Sequence, residues 1–231
     1  MGERLVDLSQ PIVTGHFRWD VERKTVKSHA AGDIAQITWI GAGVHGFTHV
    51  DSERHFAPDG PTFDDLPLSR FVGPAAVVDL SDIQADTEIS GAQIEAAASH
   101  VEAGDIVLLR TGWDLRESIH EETFWTRAPY MSIEACRWLM GRKISAVAFD
   151  FPQDRCIRDY VTGARAPALE ENTTHVELLL KGVLMFEYLC NMMSLTRRRV
   201  QFIGLPLKLP ECDGSPIRAV AVESDEADLI A

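Results

Sequence analysis

Three histidines and an aspartate lie close together between positions 45 and 55, where the sequence reads HGFTHVDSERH. The chain holds 8 histidines, so an even scatter would put only about 0.4 of them in this window. Imidazole nitrogens and carboxylate oxygens are the ligands that Zn²⁺ and Mn²⁺ take in proteins. The segment therefore predicts a metal site at His45, His49 and Asp51. The alternative is a histidine-rich surface loop that binds no ion.

The spacing of these residues also constrains the backbone. On an extended strand, His45 and His49 would lie ~13 Å apart at ~3.3 Å per residue, too far to share one ion. On a helical turn, residues four apart lie ~5–6 Å from each other at Cβ. We therefore expect a tight or helical turn at 45–49, eased by the glycines at 41, 43 and 46, with Asp51 brought in by the following loop.

A second pair, His175 and Glu187, lies in the other half of the chain. On one straight helix the two residues would be ~18 Å apart along the axis, but Gly182 is expected to end that helix. The chain can then return as an apolar strand that carries Glu187. Burying a carboxylate there is costly unless it is paired or bound to a cation. Two simpler interpretations remain, an edge-strand Glu187 that faces water and a His175 that only caps its helix.

The elements that must position these residues alternate between strands and helices. The strands are predicted at Ile34–Ile40, Ala75–Leu80, Ile106–Arg110, Ala146–Phe151, Val183–Leu189, Phe202–Leu209 and Ile217–Val222. Helices are expected after a capping box at Ser90 (ending at Gly104), after Ser132, and after a second capping box at Thr174. Asp213-Gly214 is expected to form the turn between the last two strands. The order favours one mixed α/β domain, residues 1–231, with more than one sheet.

Composition excludes several classes of function. The chain has 231 residues, 35 of them acidic and 22 basic, for a formal net charge of −13. Such a charge repels phosphate backbones and anionic membrane surfaces. No apolar run reaches the ~18 residues of a membrane span, and the start lacks the apolar core of a secretory signal. With four scattered cysteines, the sequence predicts a cytoplasmic protein with reduced thiols, without nucleic-acid or membrane partners.

The pattern H-x-x-x-H-x-D-x-x-x-H-F at positions 45–56 resembles the signature of the metal-dependent cyclase family, whose usual form is H-x-G-T-H-x-D-x-P-x-H-F. That family includes bacterial kynurenine formamidases and isatin hydrolases. Four other segments are similar to family blocks in the same order: 7–9, 104–113, 175–187 and the DGSP at 213–216. The resemblance covers nearly the whole chain and implies a swivelling β/β/α type of fold. This sequence departs from the pattern at Phe47, where the family has Gly, and at Glu53, where it has Pro.

The resemblance also implies a ligand set and a reaction. His45, His49 and Asp51 would hold one divalent ion, Zn²⁺ or Mn²⁺, and Asp51 would bridge to a second ion held by His175 and Glu187. Water activated by the metal would open or cleave an amide-type C–N bond of a small-molecule substrate, an aryl formamide or a cyclic amide. Two alternatives stay open: a lactone hydrolase with the same site, and a catalytically silent metal-binding protein. Relatives of this kind are commonly homodimers or homotetramers, so a homo-oligomer is expected.

His55 is the candidate general acid/base by the same resemblance; it could instead be a further ligand or orient one. For the substrate pocket, the candidates are aromatic rings, although core packing is the commoner role of such rings. These rings are Phe47, Trp19, Trp113, Phe17 and Trp125. Arg110 or Arg18 could bind a substrate carboxylate bidentately, or pair with a surface carboxylate instead.

Overall fold

The structure is a computed structural model and describes residues 2–224, so the predicted domain 1–231 extends past it at both ends. The strands are β1 Arg4–Asp7, β2 Val21–Lys27, β3 Ile37–Ala42, β4 His49–Asp51, β5 Val72–Asp79, β6 Glu88–Ile89, β7 Ile106–Arg110, β8 Tyr130–Met131, β9 Ala146–Phe149, β10 Leu184–Glu187, β11 Arg199–Ile203, β12 Gly214–Pro216 and β13 Val220–Glu223. The α-helices are α1 Gly91–Ala97, α2 Trp113–Arg116, α3 Glu122–Thr126, α4 Ile133–Gly141, α5 Ile157–Thr162 and α6 Thr173–Glu177.

Nine of these strands form one mixed sheet in the order β1-β13-β11-β5-β7-β9-β10-β4-β12. The four strands from β5 to β10 in that order pair in parallel, and the strands on either side pair antiparallel. Two further sheets have two strands each, β2-β3 and β6-β8. The expectation of a mixed α/β domain with more than one sheet is therefore confirmed.

Both faces of the central sheet are covered, which explains the continuous apolar runs of its strands. Val107 and Leu109 of β7 point into a core shared with the helices, whereas Ile106 and Leu108 point into a second core on the opposite face. The second core also joins Val6 of β1 with residues of β4, near the other end of the sheet. The sheet is therefore curled, so that strands far apart in order meet across its inner face.

The two-stranded ribbon β2-β3 differs from the rest of the molecule because nearly all of its residues are exposed. Val26 and Ile40 are 60% and 55% exposed, and Trp39 is covered in part by the Lys24 ammonium at 4.6 Å. An isolated two-stranded ribbon is marginally stable in water. Its second strand leads directly into the loop that carries His45.

The predicted helix starts are confirmed at Ser90, whose capping box with Gln93 forms, and at Ser132, whose side chain accepts from the Ala135 amide. The first of these helices ends at Ala97, short of the predicted end at Gly104. The capping box at Thr174 is wrong: α6 begins at Thr173, after Asn172, and Thr174 lies inside it with its amide bonded to Asp154.

The turn predicted at Asp213-Gly214 is also displaced. Gly214 already belongs to β12, and the turn lies at 210–211. Gly182 does end the helical segment, in the left-handed conformation, and β10 follows it as predicted. No helix among residues 2–224 combines the length and apolarity of a membrane span.

Candidate metal centre

The loop before β4 turns sharply at 44–45 and bends through 46–48, as the spacing of the histidines predicted. His49 and Asp51 already belong to β4, where residues two apart point to the same face. His45 sits in the turn and reaches the same place, with its Nδ1 2.8 Å from Oδ1 of Asp51. The turn therefore brings all three side chains of the motif together.

Strand pairing joins this motif to the second half of the chain. In the β10-β4 register, Glu187 lies directly opposite His49, and their Oε2 and Nε2 atoms are 3.7 Å apart. His175, from α6, places its Nε2 3.5 Å from Oε1 of Glu187 and 3.7 Å from Oδ2 of Asp51. The five residues predicted as ligands thus form one cluster, and four of them are buried.

The Nδ1 atoms of two histidines are held by groups that can only accept a hydrogen bond. Nδ1 of His49 donates to the Phe47 carbonyl at 2.8 Å. Nδ1 of His175 donates to Oδ2 of Asp154 at 2.6 Å, and Asp154 also accepts from the Thr174 amide at 2.7 Å. Partners of this kind select the tautomer of a metal-binding imidazole. Both Nε2 atoms therefore face the carboxylates of the cluster.

Several buried polar atoms of this cluster have no hydrogen-bond partner among the described residues: Nε2 of His49, Oδ2 of Asp51 and Oε1 of Gln153. Gln153 donates its amide to Glu187 instead. Buried polar atoms are costly when unpartnered. A divalent cation would satisfy the imidazole and carboxylate lone pairs together, so the residues present fit a Zn²⁺ or Mn²⁺ ion.

Proton affinities within the cluster are strongly perturbed. Burial alone would lower the pKa of both His45 and His175, but neighbouring carboxylates outweigh it. Asp51 and Asp213 raise the pKa of His45 to about 9, and Asp154 and Asp51 raise that of His175 to about 10. Burial raises the pKa of Glu187, and Asp51 adds to this effect. Against burial, the adjacent histidines hold the pKa of Asp51 well below its usual value. Protons thus occupy the place between these groups that a cation could take.

His55 lies at the edge of the cluster, at the end of the single 3₁₀ turn Glu53–His55. Its ring stacks on His45 with centroids 3.8 Å apart, and its Nδ1 lies 3.6 Å from Oδ2 of Asp213. Burial lowers the pKa of His55 to about 4; His45 and His175 add to the shift, while Asp51 opposes it. The His55 side chain is 30% exposed. The group is therefore neutral at pH 7 and open to solvent.

The two departures from the motif have clear places in the structure. Phe47 has a left-handed backbone, with φ of 55°, which is the conformation that Gly adopts most readily. Its ring is buried against Trp19, with centroids 4.7 Å apart. Glu53 begins the 3₁₀ turn that carries His55. The Gly-to-Phe change therefore keeps the backbone shape that aims the Phe47 carbonyl at His49, and adds an aromatic ring behind Trp19.

An aromatic cluster adjoins the histidines. The Trp125 ring lies 5.2 Å from Trp19 and 5.0 Å from Tyr188, and the Tyr188 ring lies 5.5 Å from His49. Burial and Glu187 raise the pKa of the Tyr188 phenol, and the positive charge of Arg18 opposes the rise. Trp19 is only half-buried. Trp19 is thus the ring of this aromatic cluster that solvent can still reach.

Two residues predicted for the substrate pocket make their contacts elsewhere. Trp113 is buried in the helix-side core and donates its Nε1 proton to the Phe124 carbonyl. Arg110 pairs with Asp79 at 2.7 Å and donates to the Leu195 carbonyl. The structure does not bring either residue into contact with the histidine cluster.

Sequence reasoning missed three polar residues of the site, Asp154, Gln153 and Asp213. Asp213 accepts from Nε2 of His45 at 2.8 Å. It belongs to the DGSP segment, which the sequence identifies as a family block without indicating a role for the aspartate. Asp154 and Gln153 follow β9 in the irregular segment 150–156, where no spacing distinguishes them. Only the pairing of β9 with β10 brings that segment beside Glu187.

Known proteins resemble this chain over nearly its full length. A kynurenine formamidase of Bacillus cereus is 26% identical over 221 residues, 93% of this chain and 95% of that protein. The isatin hydrolases A of Labrenzia aggregata and Ralstonia solanacearum, each 23% identical, superpose with TM-scores of 0.77 and 0.78. The alignments cover 95% and 96% of this chain, and 93% and 92% of those structures.

Similarity at this level of identity between structures shows a shared fold. A further structure, described as a potential metal-dependent hydrolase with cyclase activity, has a TM-score of 0.74 and is covered over its full length. The family described as "Putative cyclase" matches residues 6–153, more than half of the chain and including all of the segment 45–56. The chain is therefore a member of the cyclase family.

Proposed function

We propose that this protein is a metal-dependent hydrolase that opens or cleaves an amide-type C–N bond. One observation carries the proposal: the Nε2 atoms of His49 and His175 converge with Asp51 and Glu187, and two of these buried groups keep lone pairs with no partner. The names of the relatives, kynurenine formamidase and isatin hydrolase, agree with this chemistry.

The proposed ligands are the five that the sequence analysis selected. His45, His49 and Asp51 would hold one divalent ion, Zn²⁺ or Mn²⁺. His175 and Glu187, with Asp51 shared, would hold a second ion where two are present. When bound, such a cation polarises a substrate carbonyl and lowers the pKa of water towards ~7.

His55 is proposed to move the proton. Its Nδ1 lies 3.6 Å from Oδ2 of Asp213. In the tautomer that is protonated at Nδ1, Nε2 would accept a proton from the attacking water and return it to the leaving nitrogen. Burial, the largest cause of the lowered pKa of His55, favours the unprotonated ring, which is the state a base requires. Asp213 would orient the ring, and Asp154 and the Phe47 carbonyl would hold His175 and His49 in the ligating tautomer.

An aromatic substrate fits the walls of the site. Trp19, backed by Phe47, offers a half-buried aromatic face next to the histidine cluster. We therefore propose an aryl formamide or a cyclic aryl amide as substrate. A lactone would use the same polar groups, so it is included as an arm of the test.

We also propose that the protein is a cytoplasmic homo-oligomer. The exposed β2-β3 ribbon, with Val26 and Ile40 on its surface, gives a second copy an apolar surface to cover. All four cysteines are free, as expected in a reducing compartment. Light scattering coupled to gel filtration should give a dimer or tetramer, and charged substitutions at Val26 and Ile40 should yield monomers. A monomeric wild type would contradict the proposal.

The function is tested by hydrolysis assays on formanilide, isatin and a dienelactone, before and after prolonged chelation. The metal-loaded protein should hydrolyse an amide substrate, lose the activity with chelator and regain it with Zn²⁺ or Mn²⁺. A preference for the dienelactone would favour the lactone-hydrolase alternative. Amide hydrolysis that chelation leaves unchanged, or no hydrolysis of any of the three, would contradict the proposal.

A further inference from the structure

Arg18 is a cation that lies on an aromatic surface and has no anionic partner among the residues that the structure describes. Its guanidinium carbon lies 4.3 Å from the centroid of the Trp125 ring and 5.7 Å from that of Trp19. Its Nη1 is buried and has no hydrogen-bond partner. No carboxylate among residues 2–224 forms an ion pair with it, although the chain contains 35 acidic residues.

Other arginines that stack on rings in this protein are satisfied. Arg155 lies over Tyr130 at 4.9 Å and faces Asp86 at 3.7 Å. Arg116 lies over Trp113 and donates to three backbone carbonyls. An unpartnered buried guanidinium donor is costly, because the group loses water without gaining a replacement. Arg18 is therefore the exception among the stacked arginines, not an instance of a general arrangement.

The aromatic surface under Arg18 leads to the histidine cluster. From Trp125, centroid distances of 5.0 Å to Tyr188 and 5.5 Å onward to His49 connect the guanidinium to the proposed metal ligands. Arg18 is only partly buried as a residue, and Nη1 is the one nitrogen of its guanidinium that is buried without a partner, so an anion can approach the Nε–Nη2 edge from solvent. A ligand that extends from the cluster along the half-buried Trp19 would bring one end to Arg18.

The backbone at Arg18 is held by a neighbouring histidine. The Arg18 amide donates to Nδ1 of His16 at 3.1 Å, and Nε2 of His16 donates to the Ile119 carbonyl at 3.0 Å. With one nitrogen accepting and the other donating, the His16 ring is neutral and adds no competing charge. Its ring also stacks on Trp19 at 4.6 Å. Arg18 and Trp19 are thus fixed in position before any ligand binds.

We propose that Arg18 is a specificity-determining residue that binds a carboxylate on an aromatic amide substrate. The substrate ring lies along Trp19, and the amide reaches the His49–His175 cluster. A planar guanidinium fork matches a carboxylate bidentately, and packing on the Trp125 ring limits the directions that the fork can take. The inference rests on the proposed hydrolase function and adds to it an anionic substrate class.

The test compares formanilide with its three carboxylated forms, 2-, 3- and 4-formamidobenzoate, as substrates of the metal-loaded protein. At least one isomer should be preferred over formanilide by about tenfold to a hundredfold, mainly through KM. Arg18→Gln should remove this preference, so that within the variant the carboxylated isomer and formanilide have about equal kcat/KM values. Arg18→Lys, which keeps the charge and packing stem, should retain a part of it. Arg155→Gln, the matched change at a stacked arginine with a partner, should behave as wild type.

A binding measurement separates this inference from the hydrolase function. Calorimetric titration of the chelated protein with the aminobenzoate products and with aniline requires no turnover and no metal. The matching aminobenzoate should bind more tightly than aniline in the wild type and in Arg155→Gln, but not in Arg18→Gln. Equal binding in the wild type would overturn the inference. A loss in Arg18→Gln that extends equally to formanilide and aniline would overturn it too, since it would mean that Arg18 only supports the aromatic cluster.

Discussion

Nδ1 of His175 donates to Oδ2 of Asp154 across 2.6 Å, and this hydrogen bond leaves Nε2 of His175 directed at Asp51 and Glu187. Oδ1 of Asp154 accepts a second hydrogen bond from the amide of Thr174, one residue before the histidine that Asp154 orients. The arrangement resembles the carboxylate–histidine pairs that orient imidazole ligands in metal sites. Asp154 therefore orients a proposed metal ligand, although no sequence motif marks it.

Asp154→Asn should therefore weaken metal binding without removing a ligand. The amide can still accept from His175 but no longer offers a charge, so the metal dissociation constant should rise about tenfold to a hundredfold. Competition with a chromophoric chelator measures this constant directly. Asp79→Asn is the control, because Asp79 pairs with Arg110 away from the cluster. An unchanged constant in Asp154→Asn would show that the contact does not tune the ligand.

His55→Ala should separate metal binding from turnover. If His55 transfers the proton, the variant should keep the wild-type metal content while kcat falls about a hundredfold to ten-thousandfold. Metal analysis and the formanilide assay on the same sample provide both quantities. Full turnover at full metal content would remove His55 from the proton-transfer step, whereas loss of metal would identify it as a ligand.

The stability of the chelated protein should depend on pH in a defined direction. His45 and His175 have folded-state pKa values of about 9 and about 10, raised above the ~6.5 of an unfolded histidine. Their stabilisation is complete below pH 6.5 and is lost as the pH rises through 9 and 10. The Tm of the chelated protein should therefore fall by several degrees between pH 7 and 9.5.

The metal-loaded protein provides the contrast for this pH dependence. Metal binding displaces these protons, so metal affinity should increase over the same pH interval. The difference in Tm between loaded and chelated protein should accordingly widen with pH. A chelated protein whose Tm rises over that interval would contradict the assigned protonation of His45 and His175.

Substitutions at Phe47 should show an unusual order of stability. Losing the buried ring should cost about 3–5 kcal/mol in Phe47→Ala. Phe47→Gly loses the same contacts but suits the left-handed φ of 55° at this position, so it should be more stable than Phe47→Ala by about 1 kcal/mol. Urea denaturation of both variants measures the difference. If the alanine variant is the more stable, the left-handed conformation does not survive removal of the ring.

The sequence predicted the proposed ligands of the candidate site better than the residues that hold those ligands by hydrogen bonds. His45, His49 and Asp51 can be found from the sequence because they share one short window, and their spacing required the turn that the structure has. Glu187 can be found because a carboxylate in an apolar strand is an anomaly. Asp154 cannot be found in this way, because its position depends on the pairing of β9 with β10, which has no local sequence signature.

Errors in the predicted elements came from competing local chemistry. Thr174 fits a capping box with Glu177, but Asp154 binds its amide from another part of the chain and the helix begins one residue earlier. Arg110, proposed to bind a substrate carboxylate, ends β7 and pairs with Asp79 at the end of the neighbouring strand β5, a partner that the sequence alone does not reveal. The sequence alone leaves two interpretations of Arg18, a ligand of a substrate carboxylate or half of a surface ion pair. Within residues 2–224 its buried Nη1 has no hydrogen-bond partner, which favours the first.

The metal content of the purified protein tests the central claim most directly. After dialysis against Zn²⁺ or Mn²⁺ and removal of free ion, elemental analysis should find one or two equivalents per chain. Asp51→Asn, which changes the carboxylate shared by both proposed ion positions, should lose most of that metal while remaining folded. Less than about a tenth of an equivalent in the wild-type protein under these conditions would contradict the account.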